Sequence, residues 1–341
     1  MNFQPIRKPY AVSRDETERA RSSSSGPSTR TKVLRLTVAG LAAAALINHG
    51  LARKAERENP PAGRFLSIDG LRLHYVDQGR GEALVLLHGN GSMIQDFASS
   101  GLIDLAAASY RVVAFDRPGY GHSDRPRGTV WTPEAQADLI SKALGQLGIK
   151  RATILGHSWG CSVAVALAHK YPDLVSGLVL VSGYYYPTAR ADVAALSIPA
   201  VPVVGDVIRY TISPILSRLV WPLLMRKIFG PEPMPDKFLG FPKAMAVRPS
   251  QLRASAEESA LMIPDAAAAK SPYSRLTMPV AILAGTDDRL VDADHQSARL
   301  HEEISHSSFY QIPGQGHMIH QTATDTIMAA IDKVSLAISR T

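Results

Sequence analysis

The chain has 341 residues, 45% hydrophobic and 20% charged, with a formal charge of +7 and one cysteine. That composition is globular, and α/β folds of about 250 residues or more often form one unit. The positive charge does not point to nucleic acid: residues 1–58 hold 11 Lys/Arg against 5 Asp/Glu, leaving 26 against 25 for the rest, and no basic stripe with interleaved aromatics occurs. Cys161 has no second cysteine to pair with, so the fold does not depend on an oxidising compartment.

In chain order, residues 1–31 read as a disordered basic tail, with Arg7, Lys8, Arg14, Arg19 and Arg21 followed by four serines, Gly26 and Pro27. Residues 32–54 form a hydrophobic segment. Leu36 to Ile47 is twelve residues without a charge, and the run reaches seventeen at Ala52 if Asn48 and His49 are tolerated. Crossing a bilayer takes about 20 residues. An uncleaved membrane anchor, a signal peptide and a surface helix are therefore the three readings, with the anchor favoured because the basic tail exceeds a usual signal n-region. Positive charge before the run places the N-terminus in the cytoplasm and the body outside if the segment spans. Cleavage would instead leave a secreted or periplasmic protein, and a cytoplasmic body is the remaining alternative.

Pro60-Pro61 mark the start of a domain over 60–341. Phe65–Asp69 and Leu71–Val76 suggest a hairpin around Asp69-Gly70, and Ala83–Leu87 and Val112–Phe115 are short apolar runs. Thr132 followed by Pro133 predicts the start of a helix running to Leu147. Strand Ala152–Leu155, helix Trp159–Tyr171 and strand Gly177–Val181 follow. Residues 184–272 hold 12 of the chain's 23 prolines, so helices there must be short and broken. Strand Pro279–Ala284, helix Asp292–Glu303, strand Ser308–Ile312 and a last helix to about Ile338 complete the series. Apolar strands alternating with amphipathic helices imply a mostly parallel sheet covered on both faces, with the site beyond the strands' carboxyl ends.

The chemistry-bearing residues fall at those ends. Gly156-His157-Ser158-Trp159-Gly160 lies between a strand and a helix, a sharp turn that exposes a serine to a base. Gly285-Thr286-Asp287-Asp288 and Gly314-Gln315-Gly316-His317 each follow a strand. The chain order Ser, Asp, His is the one such a strand–turn–helix fold requires. In acyl transfer the histidine takes the serine proton and returns it to the leaving group, while the aspartate holds the imidazole tautomer.

With these motifs the chain resembles the α/β-hydrolase superfamily over residues 64–338. His88-Gly89-Asn90-Gly91 is similar to the family's oxyanion loop, and Asp116-Arg117-Pro118-Gly119-Tyr120-Gly121-His122-Ser123 to its turn after the fourth strand. The resemblance implies an α/β-hydrolase fold with a helical cap at 184–272, Ser158 as nucleophile and His317 as base. It implies an oxyanion hole from the N–H groups of Asn90 and Trp159. It places the acid three residues after the glycine, favouring Asp288 over Asp287; the family's other acid position holds Ser182-Gly183. His320 is a turn too late to be the base, and no carboxylate pattern makes it and His317 a zinc site. His122 and Asp116 read as turn-shaping residues, His157 and Cys161 as packing, and His169 as a surface or helix-end residue.

Asn90 and Trp159 also resemble the pair in haloalkane dehalogenases. Those enzymes, like epoxide hydrolases, need a carboxylate nucleophile to form a hydrolysable ester; Ser158 would form an inert ether. The large apolar side chains of the cap, Tyr184-Tyr185-Tyr186, Trp221, Met225 and Phe229 among them, point to a small hydrophobic ester as substrate. No cofactor is expected. Hydrolysis of a C–C bond beside a ketone, cofactor-free perhydrolase chemistry and a ligand receptor using the same pocket are the alternatives. The apolar lid segment Ile212 to Phe229, with Arg218, Arg226 and Lys227 interspersed, adds the expectation that the lid faces lipid.

Overall fold

The computed structural model describes Met1, residues 28–268 and residues 272–340. Most of the expected disordered tail, 2–27, lies outside the described residues, as do 269–271 within the expected cap. Two compact units are distinguished, Met1–Ala43 and Ala44–Thr341.

The second unit is built on an eight-stranded sheet in the order β1-β2-β4-β3-β5-β6-β7-β8. The strands are β1 (Arg64–Ile68), β2 (Leu71–Gln78), β3 (Ala83–Leu87), β4 (Arg111–Phe115), β5 (Ala152–His157), β6 (Val175–Val181), β7 (Val280–Gly285) and β8 (Ser308–Ile312). The two pairings of β2, with β1 and with β4, are antiparallel; all pairings among β4, β3 and β5 to β8 are parallel. Successive side chains on a strand point to opposite faces. Val85, Leu87, Ile154, Leu178 and Ile282 therefore enter one core, and Leu84, Leu86, Leu155, Val179 and Leu283 the other. This two-sided burial explains why the central strands are continuous apolar runs rather than alternating ones.

Helix α1 (Thr29–Glu58) precedes the sheet. Helices α2 (Ile94–Ser100) and α3 (Leu102–Ala107) follow β3, α4 (Pro133–Gln146) follows β4, and α5 (Trp159–Lys170) follows β5. The Thr132 hydroxyl accepts from the Ala135 N–H at 3.2 Å, and Pro133 opens α4, as that pair predicts. Helices α2 and α3 lie where no element was expected. They have seven and six residues, and Gly101 at φ 82 ends one and begins the other. Helices this short do not present a full 3.6-residue pattern.

Between β6 and β7 the insertion contains α6 (Ala191–Leu196), α7 (Val204–Thr211), α8 (Ser213–Phe229), α9 (Lys243–Ala246) and α10 (Pro249–Ala268). Helices α8 and α10, with 17 and 20 residues, are longer than the prolines led one to expect, because Pro214 and Pro249 sit at helix starts and Pro222 and Pro264 are accommodated inside. After β7 the expected helix over 292–303 is split: one π-turn, Asp294–Ala298, precedes α11 (Arg299–Glu303). The chain closes with α12 (Ile319–Thr322) and α13 (Thr324–Ile338). Helices α4 and α5 cover the first core, and α2, α3 and α13 cover the second.

Among the described residues α1 is the one unbroken helix long and apolar enough to cross a membrane. Its second half also makes specific contacts. The Asn48 amide donates to the carbonyls of Tyr210 and Thr211 at 3.0 and 2.9 Å, Ala55 is buried, and Glu56 pairs with Arg248 at 2.8 Å.

Candidate active site

Ser158 sits at the junction of β5 and α5 with φ 52 and ψ −119. A non-glycine residue there carries strain of about 1–3 kcal/mol, held only where neighbours over-determine the turn. The neighbours are evident. A Cβ on Gly156 would lie 2.5 Å from the Gly160 carbonyl oxygen, and one on Gly160 would collide with the Leu87 carbonyl. Ser158 N–H donates to Val181 O at 2.9 Å, leaving the side chain half-buried at the end of the sheet.

Helix α5 begins at Trp159, so the Trp159 N–H belongs to a first turn whose N–H groups lack intrahelical acceptors. The loop after β3 passes beside it: a methyl on Gly89 would sit 3.1 Å from Ser158 Cβ. Asn90 follows in that loop. Its side chain ties the loop down, donating to Ser255 O and Ser259 Oγ at 3.2 and 3.1 Å, with its Oδ1 2.9 Å from the Tyr120 hydroxyl oxygen.

The acid and base expected from sequence come together. His317 Nδ1 and Asp288 Oδ2 are 2.7 Å apart, with side chains 5% and 2% exposed. The other Asp288 oxygen accepts from the N–H groups of Leu290 and Val291 at 2.8 and 3.0 Å. Asp287 is exposed and accepts from its neighbour Thr286. His317 N–H donates to Ile228 O at 3.0 Å, so the end of α8 rests on the histidine loop.

His320 does not approach a metal-like arrangement with His317. Its Nε2 is 2.9 Å from Asp96 Oδ1, and its ring packs on that of His157, whose Nε2 lies 3.2 Å from the His317 carbonyl. Asp96, His157 and His320 are the one group among the described residues whose ligand atoms lie within 4.8 Å of one another. The Asp96–His320 hydrogen bond, the packing of His157 on His320 and the His157 bond to the His317 carbonyl make the three a buried polar support beneath His317. Burial works to raise the Asp96 carboxyl, but the His320 ring and its hydrogen bond hold it below the ordinary range. Burial, then His320 and His317, push His157 well below its usual value, so it stays neutral. The Asp116 carboxylate is buried against His74 and the N–H groups of Ile94 and His122, which shapes the turn after β4. Burial raises the Cys161 thiol to about 12, leaving it unreactive.

The ion pair behind the oxyanion loop was not found from sequence. Arg117 and Glu258 are both 0% exposed and paired through both guanidinium nitrogens. Arg117 also donates to the carbonyls of His88 and Gly89 at 2.7 and 2.8 Å, while Tyr120 and Gln136 donate to Glu258. His88 Nδ1 bonds the Gly89 carbonyl and Nε2 accepts from Arg117 N–H, which sets a neutral tautomer. Burial, helped by the Arg117 charge, lowers its pKa to about 4. Glu258 belongs to a polar stripe on α10 with Gln251, Ser255 and Ser259, spaced four, seven and eight residues from the first. Gln251 reaches the carbonyls of Gly91 and Ser92. That spacing was the available signal, but nothing in one sequence says which loop it meets. Replacing Glu258 with Ala leaves the Arg117 charge buried and unpaired, and should cost about 3–5 kcal/mol. Urea unfolding of the two proteins measures this; a change under 1 kcal/mol would show that water reaches the pair.

A cavity of about 480 Å³ lies beside the serine turn, lined by Trp159, Val165, Tyr184, Tyr185, Met262 and Asp265 among others; Ser158 and His317 do not line it. Burial, together with Glu134 and Glu258, raises the Asp265 carboxyl to about 6. On the histidine side, Met93, Met225, Phe229, Phe238, Phe241 and Met318 form an apolar cluster under the insertion.

A mostly parallel sheet, a strained serine between strand and helix, and a histidine–aspartate pair at the carboxyl ends of later strands define an α/β hydrolase. Residues 82–324 match the family model of the alpha/beta hydrolase fold, and the chain belongs to that family. Haloalkane dehalogenase 2 of Mycobacterium tuberculosis is 27% identical over 285 residues, covering 80% of this chain and 94% of that protein. A 2-hydroxy-6-oxononadienedioate/2-hydroxy-6-oxononatrienedioate hydrolase of Burkholderia vietnamiensis is 43% identical over 116 residues, 33% of this chain and 40% of that one. In structure, a thermophilic esterase from Thermogutta terrifontis superposes with a TM-score of 0.64 at 20% identity, over 81% of this chain and 99% of its own.

Proposed function

We propose that the protein is a serine hydrolase of small hydrophobic esters, working through an acyl-enzyme. Ser158 Oγ attacks the ester carbonyl as His317 Nε2 takes its proton. The oxyanion is held by the N–H groups of Asn90 and Trp159, and the tetrahedral adduct expels the alcohol, which receives the proton from His317. Water then repeats the sequence on the acyl-enzyme. Asp288, bonded to His317 Nδ1, keeps the proton there and leaves Nε2 to act as base. The observation that carries this reading is that hydrogen bond, together with the Ser158 turn. The apolar cluster around Met93, Phe229 and Met318 supports a hydrophobic substrate. Dehalogenation is disfavoured despite the relative's name, because a serine would end as an ether. Helix α1 supports tethering to a membrane, with the hydrolase unit on the non-cytoplasmic side.

The Burkholderia relative favours one second reading, hydrolysis of a C–C bond beside a ketone, which the same three side chains could serve. Purified full-length protein assayed on p-nitrophenyl esters of graded chain length and on a ring-cleavage dienoate separates the two. The ester reading expects turnover that rises with acyl length to an optimum. Turnover of the dienoate alone would replace it with the C–C reading.

A further inference from the structure

Exposed large apolar side chains are unevenly placed. Among the described residues most of them fall in two stretches, 33–51 and 196–224. In α8, Ile215, Leu216, Leu219 and Leu223 are 49%, 54%, 72% and 64% exposed, while Met225, Ile228 and Phe229 on the other side are buried. The helix is thus apolar on both sides, and its wet face carries leucine and isoleucine where a surface helix usually carries polar side chains. The stretch before it behaves alike. Val203 is 75% exposed, and the helical pieces Val193–Ala200 and Val204–Thr211, bent by 100°, are together long and apolar enough to enter a membrane.

These faces meet. Asn48 of α1 bonds the carbonyls of Tyr210 and Thr211 at the joint of α7 and α8. Leu46 and Ile47, just before that anchoring residue, are 74% and 62% exposed. Soluble monomers rarely carry contiguous apolar patches beyond a few hundred Å². The charges fit one kind of occupant. Helix α8 contains Arg218, Arg226 and Lys227 and no acid, and the one acid of α7, Asp206, is paired with Arg127 and Arg209. An apolar face with a cationic margin matches acyl chains beneath anionic headgroups.

We propose that α7, α8 and the second half of α1 form a surface that sinks into an anionic phospholipid bilayer. This reaches beyond a tether, since it makes the insertion itself a lipid-contacting element. The docking stands without the ester reading; only delivery of a lipophilic ester depends on it. Such delivery would be short-range, because the carbonyl of Ile228, in the last turn of α8, receives the His317 N–H.

The test uses full-length protein carrying Leu219→Cys, labelled with a nitrobenzoxadiazole fluorophore; the native Cys161 is 0% exposed. A second variant, Leu336→Cys, labels an exposed site on α13. With vesicles containing phosphatidylglycerol, the label at 219 is expected to shift to the blue and brighten several-fold, and to be quenched by nitroxide-bearing acyl chains. The label at 336 should stay solvent-like. Protein that co-sediments with vesicles while 219 stays solvent-like overturns the proposal, leaving α1 as a tether only. A blue shift at 219 without vesicles that grows with protein concentration also overturns it, by showing that a second copy covers the face. These readouts do not involve turnover, so failure of the ester reading would leave them unchanged.

Discussion

Ser158→Ala is expected to abolish fluorophosphonate labelling and to lower ester turnover by on the order of 10⁶, the scale seen when a serine nucleophile is deleted. The reason is chemical: without Oγ no acyl-enzyme forms, and what survives is binding plus oxyanion stabilisation. The fold should be unaffected. Alanine keeps the Cβ that already sits at φ 52, so the strain of the turn is unchanged, and the backbone bond to Val181 O does not involve the side chain. Peptide mapping of the adduct in the parent protein should find Ser158 alone. A phosphonate on another serine, or full turnover by the alanine variant, ends the assignment.

The second large effect is expected at Asp288. Asp288→Asn should reduce turnover by about 10⁴, comparable to amidation of a triad aspartate. The hydrogen bonds say why. One oxygen of Asp288 accepts two N–H groups, from Leu290 and Val291, so an asparagine must place its carbonyl there. Its NH₂ then faces His317 Nδ1 and requires that nitrogen to be an acceptor. The ring proton moves to Nε2, the atom that must take the serine proton, and the base is lost. Asp287→Asn should change turnover less than about tenfold, because that side chain is exposed and bonds only its neighbour. Steady-state kinetics on one activated ester with both variants decides; the opposite ranking transfers the role to Asp287.

Much of this protein was legible in one dimension because its signals are local. Central strands buried on both faces must be apolar at every position, so β3, β5 and β7 stand out as runs. A sharp strand-to-helix turn needs glycine at 156 and 160, since any Cβ there meets backbone, and this makes the surroundings of Ser158 readable. Thr132 and Pro133 announce α4 by the chemistry of a helix start. The short helices α2 and α3 were not readable, for each spans less than two turns. Other features belong to tertiary structure alone, because they join residues far apart in sequence. Glu258 meets Arg117 across 141 positions, and His320 meets Asp96 across 224. The same limit governs the 32–54 segment, where hydropathy treats Asn48 as an interruption in an apolar run. The fold instead gives its amide two carbonyls, 162 and 163 residues away, to bind. Composition determines that α1 and α8 are apolar; only the packing decides which side of α8 is buried and which is left bare.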